Sequence, residues 1–362
     1  MARLTRVLIM AGGTGGHVFP GLAVAKHLNS LGVEVQWLGT RKGLEARLVP
    51  ESGIPIHFIS ISGFHGKSLK DKLFVPFKLV IALIQSIKII HSFNPDSVIG
   101  MGGFVSGPGG VAAWLLRKKL VIHEQNAKPG STNLLLAKIA TQVLEAFPNT
   151  FLNLDKTKIQ TVGNPVREEI MALPSPDDRI DSLDRPRHLL VLGGSLGAQA
   201  INELLPKALA QLPEKIRPKV LHQTGEKHLT ETIKSYEAQG VIAEIVPFIV
   251  EMNKAYAWAD VVLCRAGALT IAELCAAGVG AILVPFPYAI GDHQTANANF
   301  MVQNGAALLV QQAVLTEYLL ADIVKMLCSS SEKCKAMAKA AYALRQANAT
   351  KNIVTVCQEI SE

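Results

Sequence analysis

The chain has 362 residues, of which 49% are hydrophobic and 18% charged, with a formal net charge of +7. That much apolar material excludes disordered and fibrous classes, and the length exceeds the size at which one core usually keeps growing, so two domains are expected. The five cysteines (Cys264, Cys275, Cys328, Cys334 and Cys357) are odd in number, lie in the C-terminal third and form no Cys-x-x-Cys pair, which fits reduced thiols better than a disulfide framework or a zinc site.

Arg3 and Arg6 precede Val7-Leu8-Ile9-Met10, but this apolar run is too short for a signal peptide and meets a glycine cluster at once. It reads as a first buried strand. Further strands are predicted at Val33–Leu38, Ile56–Ile59, Ser97–Ile99, Leu120–His123 and Gln142–Glu145. After the polar segment Pro174–Arg187 a fresh start is predicted at His188–Leu192, followed by Lys219–Gln223, Ala243–Val246, Val261–Cys264, Ala281–Val284 and Ala307–Val310. Short β-rich runs alternating with helical stretches predict parallel sheets of strand–helix–strand units. The domains are expected at 1–162 and 163–340. A final helical stretch, about Glu332 to Ile360, is expected to return to the first domain through residues 341–362. No uncharged run approaches the length that spans a bilayer.

Three glycine loops follow predicted strands: Gly12–Gly16, Gly100–Gly110 and Gly193–Gly197. Such loops let backbone N–H groups approach a phosphate, aided by the dipole of the helix that follows. One alone is as readily a tight turn; three favour a phosphate-bearing ligand. The first is not Gly-x-Gly-x-x-Gly, because Val18 takes the third glycine's place. Gly39-Thr40-Arg41-Lys42 offers no acid for the ribose of a nicotinamide cofactor, and no P-loop occurs. The positive charge calls for an anionic partner. Scattered basic residues, 6% aromatics and no recognised motif argue against nucleic acid.

The segments Gly-Gly-Thr-Gly-Gly-His (12–17), Gly-Gly-Phe-Val-Ser-Gly-Pro (102–108), His-Glu-Gln-Asn (123–126), Gly-Asn-Pro-Val-Arg (163–167), Gly-Gly-Ser-Leu-Gly-Ala (193–198), Arg-Ala-Gly-Ala-Leu-Thr-Ile-Ala-Glu (265–273) and Asp-His-Gln-Thr-Ala-Asn-Ala (292–298) resemble the MurG family of bacterial N-acetylglucosaminyltransferases. The resemblance runs in order from about residue 5 to 355. It implies a GT-B fold, two Rossmann-like doubly wound parallel-sheet domains facing a cleft. It further implies inverting transfer of N-acetylglucosamine from UDP-N-acetylglucosamine to lipid I (undecaprenyl-pyrophosphoryl-N-acetylmuramoyl-pentapeptide), giving lipid II for peptidoglycan. Neither a metal nor a cofactor is implied. The implied location is peripheral, on the cytoplasmic face of the inner membrane, with an anionic membrane surface and other cell-wall synthesis proteins as partners and consequences for cell shape and division.

By resemblance the donor meets Thr14, Gly15, Gly16, Asn126, Arg167, Ser195, the backbone of Ile249, the run Ala268, Leu269, Thr270, Ile271, Ala272, Glu273, and Gln294 with Asn297. The acceptor pyrophosphate meets Gly13, Gly102, Gly103 and Ser106. His17 is the first choice of base, with Glu124 beside it as a second catalytic group. Taken without the resemblance, Ser195 is equally an N-cap, Arg167 a surface ion-pair partner, Glu273 a solvated helix residue, Ile249 a core residue and His17 an orienting imidazole. The family often has a second glutamine beside Gln294, where this chain has Thr295. Around Leu73–Phe77, the residues Lys72, Phe74, Phe77 and Lys78 suggest an interfacial anchor. The helix that continues from it, with a narrow polar stripe of Lys78, Gln85, Lys88 and His91, reads as a buried core helix. Two other functions share these features: a UDP-N-acetylglucosamine 2-epimerase and a non-catalytic scaffold for the lipid precursor. Glu273, Ser195 and Arg167 argue for retained donor binding.

Overall fold

The computed structural model describes residues 4–61, 75–179, 185–194 and 197–361. The chain forms two compact units, Met1–Pro165 together with Asn348–Glu362, and Val166–Ala347.

In the first unit, β1 (Arg6–Met10), β2 (Glu34–Gly39), β3 (Ile56–Phe58), β4 (Ser97–Gly100), β5 (Lys119–Glu124), β6 (Gln142–Glu145) and β7 (Ile159–Thr161) form one parallel sheet in the order β3-β2-β1-β4-β5-β6-β7. Its helices are α1 (Gly15–Ser30), α2 (Glu45–Glu51), α3 (Val75–Phe93), α4 (Ser106–Leu115) and α5 (Ser131–Leu136). Side chains alternate along β1, so Val7 and Ile9 join a core with Leu28 of α1 and Ile353 of the C-terminal helix Ala349–Glu359. Leu8 and Met10 join the opposite core, with Ala82 and Ile90 of α3 and Ala112 of α4. Coverage on both faces is why the central strands read as unbroken apolar runs. Strand order reverses between β1 and β4, which sets the loops after them side by side at the switch point.

The second unit repeats the plan with β8 (His188–Leu192), β9 (Lys219–Gln223), β10 (Glu244–Val246), β11 (Val261–Cys264), β12 (Gly280–Leu283) and β13 (Ala307–Leu309), all parallel, in the order β10-β9-β8-β11-β12-β13. Its helices include α6 (Glu168–Met171), α7 (Gln199–Ala210), α8 (Leu229–Ala238), α9 (Met252–Trp258), α10 (Ala268–Ala277), α11 (His293–Val302), α12 (Glu317–Cys328) and α13 (Ser331–Ala343). Here the switch point lies between β8 and β11.

Three expectations are corrected. Strand β7 was not predicted, because it is three residues long and its Gln160 and Thr161 are exposed at the sheet edge. The final helical stretch is two helices: α13 packs in the second unit, with Met337 against Gly280, and only Ala349–Glu359 belongs to the first. Finally, α3 is not a core helix. Its buried residues are Ala82, Ser86, Ile90 and Phe93, while Phe77 is 66% and Val80 53% exposed. A narrow polar stripe shows how little of a helix needs water; it does not say what covers the rest. Among the described residues α3 is the one helix long and apolar enough to cross a membrane. Lys72 and Phe74 lie outside the described residues.

The five thiols are in no disulfide, and four of them are buried. Burial pushes Cys264 up to about 12, so it is inert as a nucleophile.

Candidate functional site

The first glycine loop turns from β1 into α1, with Thr14 extended at the helix N-cap and Gly13 at a φ of +94°. Beneath it lies Glu45, fully buried at the start of α2. Its carboxylate accepts hydrogen bonds from Gly13 N–H (3.0 Å), Thr40 N–H (2.9 Å) and the Thr40 hydroxyl (2.7 Å). Three donors offset the cost of burying that charge. A Cβ on Gly12 would fall 2.7 Å from Glu45 Oε1 and one on Gly43 2.0 Å from Oε2, so these glycines make room for the acid. Gly13 was expected to meet a pyrophosphate, yet its amide is directed inward to Glu45. The acid was overlooked because it was sought next to β2 as a ribose ligand; Gly39 and Gly43 just ahead of it in sequence were the available signal. Trp37 of β2, also buried, donates its indole N–H to Ala11 O at 2.9 Å, fixing the start of the same loop.

The loop after β4 meets the first one backbone to backbone. Gly103, at a φ of +83°, leaves no space for a Cβ, which would fall 2.3 Å from Gly12 O, and Gly102 faces the His17 ring, whose Cδ2 would lie 2.7 Å from an added Cβ. A side chain at Gly103 would force the loops apart, and one at Gly102 would displace the His17 ring. His17 is half-buried, with Nδ1 3.5 Å from Thr14 Oγ1. Gly15 begins α1 and Gly16 is exposed beside it. Ser106 is buried; its hydroxyl accepts from Gly102 N–H (3.1 Å) and lies within donating distance of Gly102 O (2.9 Å) and Met10 O (3.2 Å). It shapes the loop from inside.

At the end of β5, Glu124 is buried and takes four donors: Asn126 N–H (3.0 Å), Asn126 Nδ2 (3.2 Å), Gly130 N–H (3.0 Å) and Asn133 Nδ2 (2.9 Å). A carboxylate so engaged braces residues 125–130 and aims Asn126. That geometry suits a positioning residue better than the second catalytic group expected from the sequence. His123 is fully buried, and desolvation lowers its pKa. Its Nε2 lies 2.9 Å from Gly163 O and its Nδ1 3.0 Å from Gln125 Nε2, which assigns a neutral ring carrying its proton on Nε2. Gln125 Nε2 also donates to Met101 O (2.8 Å), tying the β4 and β5 loops together.

In the second unit α10 opens at Gly267, extended and without a side-chain cap. Ala268, Leu269, Thr270 and Ala272 are half-buried, whereas Ile271 is buried in the core and can offer a ligand only its backbone. Glu273 follows one turn later. Arg167, just ahead of α6, donates Nη2 to Glu273 Oε1 at 2.9 Å, and the Tyr256 hydroxyl donates to Oε2 at 3.0 Å. The side chains are 43% exposed for Arg167 and 19% for Glu273. Desolvation raises the Glu273 pKa above the ordinary carboxylate range, against the opposing pull of Arg167 and the two hydrogen bonds. Arg167 and Glu273, expected as separate contacts, are partners. Tyr256, fully buried on α9, was missed by sequence reasoning.

Arg265 braces the neighbouring loops. Its Nη1 donates to Val284 O (3.1 Å) and Pro285 O (3.2 Å), and its Nη2 to Gln312 Oε1 (2.6 Å). Gln294 accepts from Phe286 N–H (2.8 Å), and the buried Asn297 donates to Ala266 O (3.2 Å). Thr295 donates to Asp292 (2.7 Å) and accepts from Gln311 Nε2 (3.1 Å). Ile249 is half-buried between the exposed Phe248 and Val250. Gly193 N–H donates to Gln223 O (2.9 Å), and a Cβ on Gly197 would sit 2.4 Å from Thr224 O and 2.6 Å from the His228 ring. Ser195 lies outside the described residues.

Residues 7–145 match the glycosyltransferase family 28 N-terminal domain, and residues 188–354 match the C-terminal domain of that family. The chain is 52% identical over 356 residues to the UDP-N-acetylglucosamine–N-acetylmuramyl-(pentapeptide) pyrophosphoryl-undecaprenol N-acetylglucosamine transferase of Nitrosococcus oceani, covering 98% of this chain and 99% of that one. It is 51% identical to the Marinobacter nauticus protein of the same description, covering 98% and 97%. Among solved structures, Acinetobacter baumannii MurG is similar with a TM-score of 0.86 and 41% identity, covering 98% of this chain and 99% of that one.

Proposed function

The chain belongs to glycosyltransferase family 28, with the two parallel α/β domains of a GT-B enzyme, and from that premise we infer its chemistry. It transfers N-acetylglucosamine from UDP-N-acetylglucosamine to lipid I, producing lipid II for peptidoglycan. The observation that carries this is 52% identity along nearly the full length of a relative with that described activity.

The reaction is an in-line displacement in which the acceptor 4-hydroxyl loses a proton and UDP leaves with growing negative charge. We assign the diphosphate to Ser195 and the N-terminal turn of α10, where backbone amides and the helix dipole favour an anion. Glu273 accepts from the ribose hydroxyls, the Ile249 backbone meets uracil, and Gln294 reads the hexosamine. Thr14, Gly15, Gly16 and Asn126 are further donor contacts, as the resemblance implies. His17 is the base, an imidazole being able to take a proton near neutral pH. Glu124 acts through Asn126. Because Gly13 N–H is engaged by Glu45 and Gly102 N–H by Ser106, we assign the acceptor pyrophosphate to Gly103 and to the N-terminal turns of α1 and α4 instead.

The outward apolar face of α3, with Phe77, Val80 and Ile84 exposed and Lys78 among them, supports peripheral attachment to an anionic membrane surface. Replacing Phe77 and Ile84 by serine should reduce binding to liposomes containing anionic lipid; unchanged binding would refute this attachment.

The decisive assay incubates the protein with radiolabelled UDP-N-acetylglucosamine and a short-chain lipid I analogue. Label in the disaccharide-lipid, together with released UDP, is expected. UDP release without labelled lipid would instead indicate an epimerase-like or hydrolytic enzyme, and tight lipid binding without UDP release a scaffold.

A further inference from the structure

A carboxylate that must accept two vicinal hydroxyls has to present both oxygens at a fixed angle. A free glutamate loses rotamer freedom when it is so fixed, unless the protein has already fixed it. In this chain each oxygen of Glu273 carries one donor, Arg167 on Oε1 at 2.9 Å and Tyr256 on Oε2 at 3.0 Å, and the two donors come from different elements. Each oxygen has a second lone pair left for a ligand. The donors differ in stiffness: the Arg167 side chain is nearly half exposed, whereas the Tyr256 ring is completely buried within α9 and packed in place.

We propose that Tyr256 is a positioning residue for the donor substrate, its buried hydroxyl holding Glu273 Oε2 so that the carboxylate receives the 2′- and 3′-hydroxyls of a uridine-diphosphate sugar. The proposal rests on the ribose-binding reading of Glu273 given above. A merely structural tyrosine would need the hydroxyl bond only to satisfy its own buried oxygen, and its loss would weaken the fold without changing which nucleotide is preferred. A positioning tyrosine sets how well the enzyme tells ribose from deoxyribose.

The test compares UDP-N-acetylglucosamine with its 2′-deoxyuridine analogue in the wild type, Tyr256→Phe, Glu273→Ala and the double variant. Tyr256→Phe conserves volume, so the buried packing is retained. The wild type is expected to prefer the ribose donor by about tenfold or more in kcat/KM, the value of one hydrogen bond to a charged group. Tyr256→Phe should raise the KM for the ribose donor and cut that preference to a few-fold, with the acceptor KM unchanged. Adding Tyr256→Phe to Glu273→Ala should change nothing further. If Glu273→Ala keeps the wild-type preference, the ribose reading fails and the proposal with it. If Glu273→Ala loses the preference while Tyr256→Phe keeps it, Tyr256 is structural only and the proposal alone is overturned.

Discussion

The two units solve the same local problem in opposite ways. Each runs an apolar strand into a glycine loop and a helix. In the first unit the loop closes over a buried carboxylate, Glu45, bonded to the amide of Gly13. In the second, Gly193 donates to the carbonyl of Gln223 and Gly197 lies against the carbonyl of Thr224 and the His228 ring, and the acid of that unit, Glu273, stands a helical turn beyond the start of α10. A second negative charge about 5 Å from a buried carboxylate costs about 3 kcal/mol at an effective dielectric of 20. The motif therefore does not fix the ligand; what lies beneath it does. On the assignments proposed above, the nucleotide diphosphate goes to the second unit, and in the first the acceptor pyrophosphate goes to Gly103 and the helix N-termini rather than to the amide of Gly13, which Glu45 already holds.

The largest expected effect that sharpens this contrast is at Glu273. On the proposed ribose contacts, Glu273→Ala removes two charge-assisted hydrogen bonds, about 3 kcal/mol, so donor kcat/KM should fall about 100-fold with the acceptor KM steady. An equal rise in acceptor KM would erase the division of labour. The same carboxyl, with its pKa raised by burial, should protonate earlier than an ordinary carboxylate as pH falls, so the donor KM should begin to climb at a correspondingly higher pH.

Glu45→Ala leaves three part-buried donors without their acceptor and empties a buried site, and should lower unfolding stability by about 2–3 kcal/mol, measured as a lower urea midpoint. Its titration with UDP should be unchanged. A matching loss of UDP affinity would break the comparison.

A smaller effect belongs to a buried histidine of the second unit. His222, bonded to Tyr236 and Asn202, is pushed down to about 3 by desolvation, against about 6.5 in an unfolded chain. Between these values the unfolded state binds the extra proton, so stability falls as pH falls, by up to about 1.4 kcal/mol per pH unit. Urea titrations across pH 7 to 4.5 should show that slope flattened in His222→Gln. The smallest effect is expected for Thr14→Val, a change of a few-fold in kcat, because the Thr14–His17 contact is long at 3.5 Å.

The strands were legible because sheets covered on both faces impose continuous apolar runs, and the glycine loops because turns after such strands demand glycine. What braces those loops was not legible. Glu45 reaches back 32 positions to Gly13, and Arg167 reaches forward 106 to Glu273, and no local period marks such contacts. The family resemblance drew attention to Arg167 and Glu273 but not to their pairing, and it passed over Tyr256. The outward face of α3 escaped for a different reason: apolar periodicity measures avoidance of water and is silent about whether protein or lipid provides the shelter.

The bond from the Trp37 indole to Ala11 O gives the molecule an intrinsic optical gauge. The chain has three tryptophans, and the other two stand elsewhere: Trp114 is exposed on α4, and Trp258 stacks on His188 in the second unit. With Trp114 and Trp258 replaced by phenylalanine, emission would come from Trp37 alone, blue-shifted and shielded from acrylamide. Its intensity would then follow the first glycine loop in real time as acceptor arrives, without any attached dye.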